Sequence, residues 1–207
     1  MSCIVFNSIS AIPVHNANKN VSWENFSKLL FGICVGAILG AFISVSAEKE
    51  IFKKIFAVFI LLISLRMFFK IKDREFSNDL SSFITVPFGS FVGTLSTTFA
   101  IGGGIFIGPF LRLMGETMKK AVGTSVACTL PVGIVGAITY IYLGYNVQGL
   151  PEYSLGYVNY LSLFFIVIFS SFSSRFGAWL THRVNERIFQ TLYALQLVPI
   201  FIYWVVA

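Results

Sequence analysis

The residues best suited to chemistry lie in one stretch, Phe99-Ala100-Ile101-Gly102-Gly103-Gly104-Ile105-Phe106-Ile107-Gly108-Pro109-Phe110. Three consecutive glycines forfeit side-chain packing and cost backbone entropy, and Pro109 then removes a hydrogen-bond donor. A helix is predicted to break there. If Gly102 to Gly104 open a short helix over 105–113, they present unpaired amide N–H groups and the positive end of a half-helix dipole. Such a place suits an anion. Thr97 and Thr98 on one side, and Thr124 and Ser125 from Ala121-Val122-Gly123-Thr124-Ser125 on the other, would add hydroxyl donors. The expected substrate-binding set is therefore Gly102, Gly103, Gly104, Pro109, Thr124, Ser125 and Thr98. Pro131, with Gly133 and Gly136, marks a second point where a helix can bend. The competing reading is that the glycines only let helices pack closely. That explains Gly32, Gly36 and Gly40 well, but it does not call for a triple glycine.

Other chemistries find little to build on. No Ser-His-Asp, HExxH or paired-carboxylate constellation stands in an apolar stretch, so no catalytic residue is assigned and the chain is not read as an enzyme. His15 and His182 read as lone loop histidines without ligand spacing, so no metal and no cofactor are expected. Cys3, Cys34 and Cys128 lack CxxC spacing, and the last two suit packing inside apolar spans. Glu116 is the one acidic residue between Leu80 and Leu150 and falls in a basic loop, which leaves no proton-relay carboxylate in the spans. Arg66 and Arg175 read as interfacial anchors that snorkel, and Tyr140, Tyr142, Trp179 and Trp204 as an aromatic belt.

These residues must be positioned by membrane helices. Of 207 residues 56% are hydrophobic and 12% charged, about half the usual charge of a globular domain. Long apolar runs cover 29–47, 52–69, 121–143, 157–180 and 188–206, each near the roughly 20 residues that cross a bilayer. The net charge of +6 is spread over loops and span ends, so it reads as a topology signal and not as a nucleic-acid surface.

The chain also matches itself at an offset of 137. Gly40-Ala41-Phe42-Ile43 lies over Gly177-Ala178-Trp179-Leu180, Ile51-Phe52 over Ile188-Phe189, and Trp23 over Tyr160. Two repeats follow, 1–75 and 76–207, the first lacking its opening segments, with Met1 to Pro13 as the remnant of a helix. If 81–100 crosses and 105–113 returns as a half-helix, the copies are inverted. Lys49, Lys53 and Lys54 then stand alone on one side and every other Lys and Arg on the opposite one. Parallel copies divide the basic residues more evenly, which fits the positive-inside rule less well. The expected fold is all-α: a polytopic helical membrane protein with two diverged, inverted repeats, the first incomplete, and a broken or re-entrant helix at the glycine run.

With Ile101-Gly102-Gly103-Gly104, Pro109, Ala121-Val122-Gly123-Thr124-Ser125 and Tyr142-Leu143-Gly144, the sequence resembles the sulfite exporter TauE/SafE family of membrane permeases. The part from Ser8-Ile9-Ser10-Ala11 through Val21-Ser22-Trp23 to Gly40-Ala41 looks like the later portion of the family's first half. The resemblance implies a multi-pass permease of the bacterial inner membrane. Its cargo would be a small anion such as sulfite, a sulfonate or another organosulfur or carboxylate anion, and its partners that solute and the lipid bilayer. Two features depart from the family pattern: the first copy of the glycine run is absent, and Ala100 stands where the family often has glycine. A homo-oligomer would supply the missing half. The alternative of another class is a truncated, non-transporting membrane remnant or interaction protein.

Overall fold

The computed structural model describes residues 1–46 and 82–185, with isolated positions between 188 and 199. The apolar run at 52–69, most of 188–206, the boundary proposed at 75/76 and residues Arg66 and Trp204 lie outside the described residues. The described chain is mostly helical: α1 (Ser2–Ala17), α2 (Trp23–Ser46), α3 (Ser82–Thr98), α4 (Gly104–Leu113), α5 (Met118–Gly144) and α6 (Tyr160–Arg183). Three of these, α2, α5 and α6, are long and apolar enough to cross a membrane. The expectation of a purely α-helical chain needs one amendment. In the connection between α5 and α6, Ser154–Leu155 (β1) pairs antiparallel with Val158–Asn159 (β2), and Gly156 at φ 56° supplies the left-handed turn residue such a short hairpin needs.

Local sequence explains where the helices start and stop. Thr117 caps α5 by accepting from the Lys120 amide, and Asn159 caps α6 by accepting from the Ser162 amide, each satisfying one of the orphan donors of a first turn. Helix α4 ends where Gly115 turns left-handed at φ 87°. There Glu116 N bonds Leu111 O and Gly115 N bonds Arg112 O, the paired bonds of a Schellman cap. Pro131 does not end α5, which continues unbroken through 27 residues.

Side-chain and backbone contacts fix the directions of the helices. Leu29 O lies against Gly89, Ile33 O against Gly93 and Thr94 O against Gly40, so α2 and α3 run parallel. Ser22 N donates to Thr124 Oγ1 near one end of α2 and α5, and Ser44 bonds Tyr140 near the other; these two are parallel as well. Against α1, in contrast, α5 is antiparallel, with Val5 beside Gly133 and His15 beside Gly123. Ser174 Oγ donates to Asn7 O and the His15 and His182 rings meet, so α6 runs parallel to α1. Helices α2 and α6 therefore point in opposite directions. Both contain 24 residues, and their bounds differ by the same 137 positions as the sequence match.

The α2–α3 seam brings two backbones into close contact. A Cβ on Gly36 would collide with the Ser90 carbonyl oxygen, and one on Gly40 with that of Thr94, while Gly32 faces the Val86 carbonyl. Lipid offers no hydrophobic drive for helix pairing, so such small-residue seams hold by close van der Waals approach. Gly177 on α6 meets no described atom within 4 Å. Gly36→Leu is expected to abolish the folded protein or lower its thermal midpoint in detergent sharply. Gly177→Ala should instead hold or raise that midpoint, by about 0.5–1 kcal/mol of helix propensity. Equal behaviour of the two variants in thermal unfolding would refute the seam.

Candidate substrate site at the glycine break

Helix α3 stops at Thr98, and α4 begins six residues later at Gly104. The stop is another Schellman cap: Ile101 N donates to Ser96 O at 2.9 Å and Ala100 N to Thr97 O at 3.2 Å, with Ala100 in the left-handed region at φ 54°. Tyr140 Oη from α5 also donates to Thr97 O at 2.8 Å, so that carbonyl has both lone pairs engaged. The chain then doubles back. Phe110 of α4 stacks on Phe88 of α3 with centroids 3.7 Å apart, and a Cβ on Gly103 would lie 3.6 Å from Val92. Ten residues of α4 rise roughly 15 Å, about half a hydrocarbon core.

The break sits near the middle of α5. A Cβ on Gly102 would stand 3.0 Å from Thr129 Cγ2, and one on Gly104 would stand 3.6 Å from Ser125 Oγ and 3.9 Å from Thr129 Oγ1. On the opposite side, Gly103 faces Ser96, whose Oγ would be 3.3 Å from the added carbon. Neither Gly102 nor Gly103 donates its amide to a backbone carbonyl among the described residues, and Gly103, the N-cap of α4, has no side-chain cap. Ser96 Oγ and Thr97 Oγ1 are buried without a hydrogen-bond partner among the described residues. Ser125 Oγ donates to Val122 O and Thr129 Oγ1 to Ser125 O, both at 2.8 Å, which leaves their lone pairs facing inward and their protons able to swing toward a stronger acceptor.

The structure groups some of the expected residues and separates others. Ser125 stands beside Gly104, with Gly102 and Gly103 preceding it in the same break. Thr98 does not join them, because its hydroxyl is turned to α2 and donates to Gly40 O at 3.1 Å. Thr124 faces the α1–α2 connection, where it accepts from Ser22 N at 2.8 Å. Pro109 lies inside α4, past its first turn. Neighbouring residues on a helix point about 100° apart, which is why Thr124 and Ser125 face different partners. Ser96, Thr129 and Tyr140 enter as residues the sequence reading passed over. Thr129 carried a usable signal, lying four positions after Ser125 and so on the same helix face. Tyr140, expected in an aromatic belt, is turned inward by its bond to Thr97; Tyr142 and Trp179 are exposed.

One further expectation changes. His15 and His182 are not lone loop residues: they close α1 and α6 and meet edge to face, with centroids 5.1 Å apart. Among the described residues Lys19, Lys28, Arg112, Lys119, Lys120 and Arg183 fall at the same ends of their helices, the ends joined by the Ser22–Thr124, Asn25–Glu116 and His15–His182 contacts. Arg175 lies about two turns further along α6 and is exposed.

Comparison with known proteins gives a family. The model described as "Sulfite exporter TauE/SafE" matches residues 1–203. The chain is 32% identical to a "Probable membrane transporter protein" of Haemophilus influenzae, over 95% of this chain and 75% of that one. It is 31% identical to a "Probable membrane transporter protein" of Methanocaldococcus jannaschii, over 89% of this chain and 68% of that one. No solved structure matches.

A left-handed alanine at the second position after Thr98 carries strain that glycine would not. Ala100→Gly is expected to keep or raise the thermal midpoint, whereas Ala100→Val should lower stability by about 1–2 kcal/mol. Thermal unfolding of the purified pair checks this, and a more stable valine variant would contradict the cap.

Proposed function

The chain belongs to the sulfite exporter TauE/SafE family and is a membrane transporter. From that premise we propose that it is a multi-pass permease of the bacterial inner membrane and that it moves a small anion, sulfite, a sulfonate or another organosulfur or carboxylate anion, past the break at residues 102–104. The observation that carries this reading is the buried Ser96 hydroxyl, which has no hydrogen-bond partner among the described residues and stands beside Gly103 at the N-terminal end of α4. A buried unpaired hydroxyl is costly. An anion seated against the Gly102 and Gly103 amides would satisfy the neighbouring Ser96 hydroxyl and the positive end of the α4 dipole together.

Several features support the same reading. Main chain that is neither helix nor sheet is tolerated at membrane depth only where protein shelters it or where it lines a cavity. The hairpin of α3 with the half-length α4 has the form of a re-entrant element. The opposed directions and equal lengths of α2 and α6 are what inverted repeats produce, and sites in such transporters lie at broken helices between the repeats. Gathering the described basic residues at one end of the bundle agrees with that end facing the cytoplasm. No charged side chain is needed at the glycine run for binding to be selective. Dipoles and hydroxyls hold an anion less firmly than a fixed cation would, which favours release on the far side.

Flux of radiolabelled sulfite and of short sulfonates into proteoliposomes tests the site. Gly103→Leu, which puts a side chain among Ser96, Val92 and Ile107, should stop transport. Ser96→Ala makes no such clash and should reduce transport about tenfold or more, because one hydrogen bond to a charged group contributes roughly 1.5–3 kcal/mol. Thr98→Val, whose hydroxyl serves Gly40, should leave flux near the wild-type rate. Wild-type flux in Ser96→Ala and Gly103→Leu would overturn the site, and absence of flux in the unaltered protein for every small anion would overturn the reading as a whole.

A further inference from the structure

The described residues leave seven buried side-chain polar atoms without a partner. Ser96 and Thr97 belong to the glycine break. The other five, Asn7 Oδ1, His15 Nδ1, Ser170 Oγ, Ser171 Oγ and His182 Nε2, all stand on α1 or α6. Helix α6 is also the least buried of the long helices, with only Ala178 and Thr181 fully covered. Among the described residues few polar contacts attach it. Ser174 Oγ donates to Asn7 O at 2.8 Å, the two histidine rings meet at 5.1 Å, Asn20 Nδ2 lies 2.9 Å from His182 Nδ1, and Lys119 Nζ donates to His182 O at 3.0 Å.

Asn20 Nδ2 lies 2.9 Å from His182 Nδ1, a contact in which a neutral ring accepts the amide proton. The groups that face the pair are His15 from α1, Asn20 from the α1–α2 connection, Lys119 from α5 and His182 itself from α6. Lys119 is the charged member, and it is positive. No described carboxylate pairs with either ring, since Glu116 is engaged with Asn25 and Lys120; Glu186 lies outside the described residues. A proton added here meets a second ring, an ammonium nearby and a site in which His15 is 2% exposed. Burial and like charge both oppose it. In water the same ring takes its proton near pH 6.5.

We propose that His15 and His182 form a proton-binding site, and that loading it parts α6 from α1 at their shared end. A closed, neutral pair and an open, protonated one differ in protons bound. Each pH unit below the ordinary imidazole value then favours the parted arrangement by about tenfold per histidine. Parting also lets water reach Asn7, Ser170 and Ser171, whose polar atoms have no partner while the seam is shut. The helix pair thus responds to acidification on the side that carries the basic residues. The latch goes beyond the anion-permease reading and needs no substrate to operate.

The test uses the full chain in lipid nanodiscs with Cys3, Cys34 and Cys128 replaced by serine or alanine, and spin labels at Ile9→Cys and Phe172→Cys, both exposed positions on α1 and α6. Distances are read by pulsed electron paramagnetic resonance at about pH 8 and about pH 5, the window in which histidine changes charge. The distance distribution should shift to longer values at the lower pH, and His15→Gln with His182→Gln should remove the shift while giving the same distance at the higher pH. An unchanged distribution in the parent, or an equal shift in the glutamine variant, would overturn the latch. The distance is read without any solute, so loss of anion flux would count against the permease reading and leave this result standing.

Discussion

A main-chain amide or carbonyl at membrane depth must find a partner inside the protein, because hydrocarbon offers none. The glycine break creates several such groups at once, and the surrounding structure is arranged to answer them. The cap on α3 uses the Ser96 and Thr97 carbonyls, Tyr140 takes the remaining lone pair of Thr97, and Thr98 reaches across to Gly40. What remains are the amides of Gly102 and Gly103 and the Ser96 hydroxyl beside Gly103, which have no backbone or side-chain partner among the described residues.

Close approach of backbones makes that arrangement possible. Gly32, Gly36 and Gly40 bring α2 against the carbonyls of α3, and Gly89 and Gly93 answer them from the other side. On α5, Gly133 admits Val5 of α1, while Gly136 admits Met1 and Thr97. Each glycine gives up side-chain contact for backbone proximity, which suits a solvent where burying apolar side chains earns little. The result is a packed unit of α2, α3 and α5 with the short α4 folded against it through Phe88, Phe110 and Ile107. Helix α6 stands apart from this body in kind. Its inner face is serine, alanine and histidine, and its outer face is phenylalanine and leucine.

Charge is divided between the two polar regions. The glycine break is bordered by dipoles and hydroxyls without a fixed ion, whereas the bundle end collects lysines, arginines and the histidine pair.

Much of this was legible in the residues alone. Apolar runs of spanning length determined that the chain is a helical membrane protein, since a single continuous run of that length satisfies its own backbone in lipid as a helix. Gly102-Gly103-Gly104 followed by Pro109 determined that a helix breaks, and the ordered motif from Ile101 to Gly144 pointed to the family. The spacing of Gly32, Gly36 and Gly40 announced a packing face without saying against which helix. Tertiary structure decided the rest. It set which hydroxyls reach the break, excluding Thr98 and Thr124 and admitting Ser96 and Thr129, and it brought His15 to His182 across most of the chain's length. Both outcomes depend on how a helix is rotated about its axis and which neighbour it meets. A sequence fixes the order of side chains around a helix, but only packing against other helices chooses the face that turns inward.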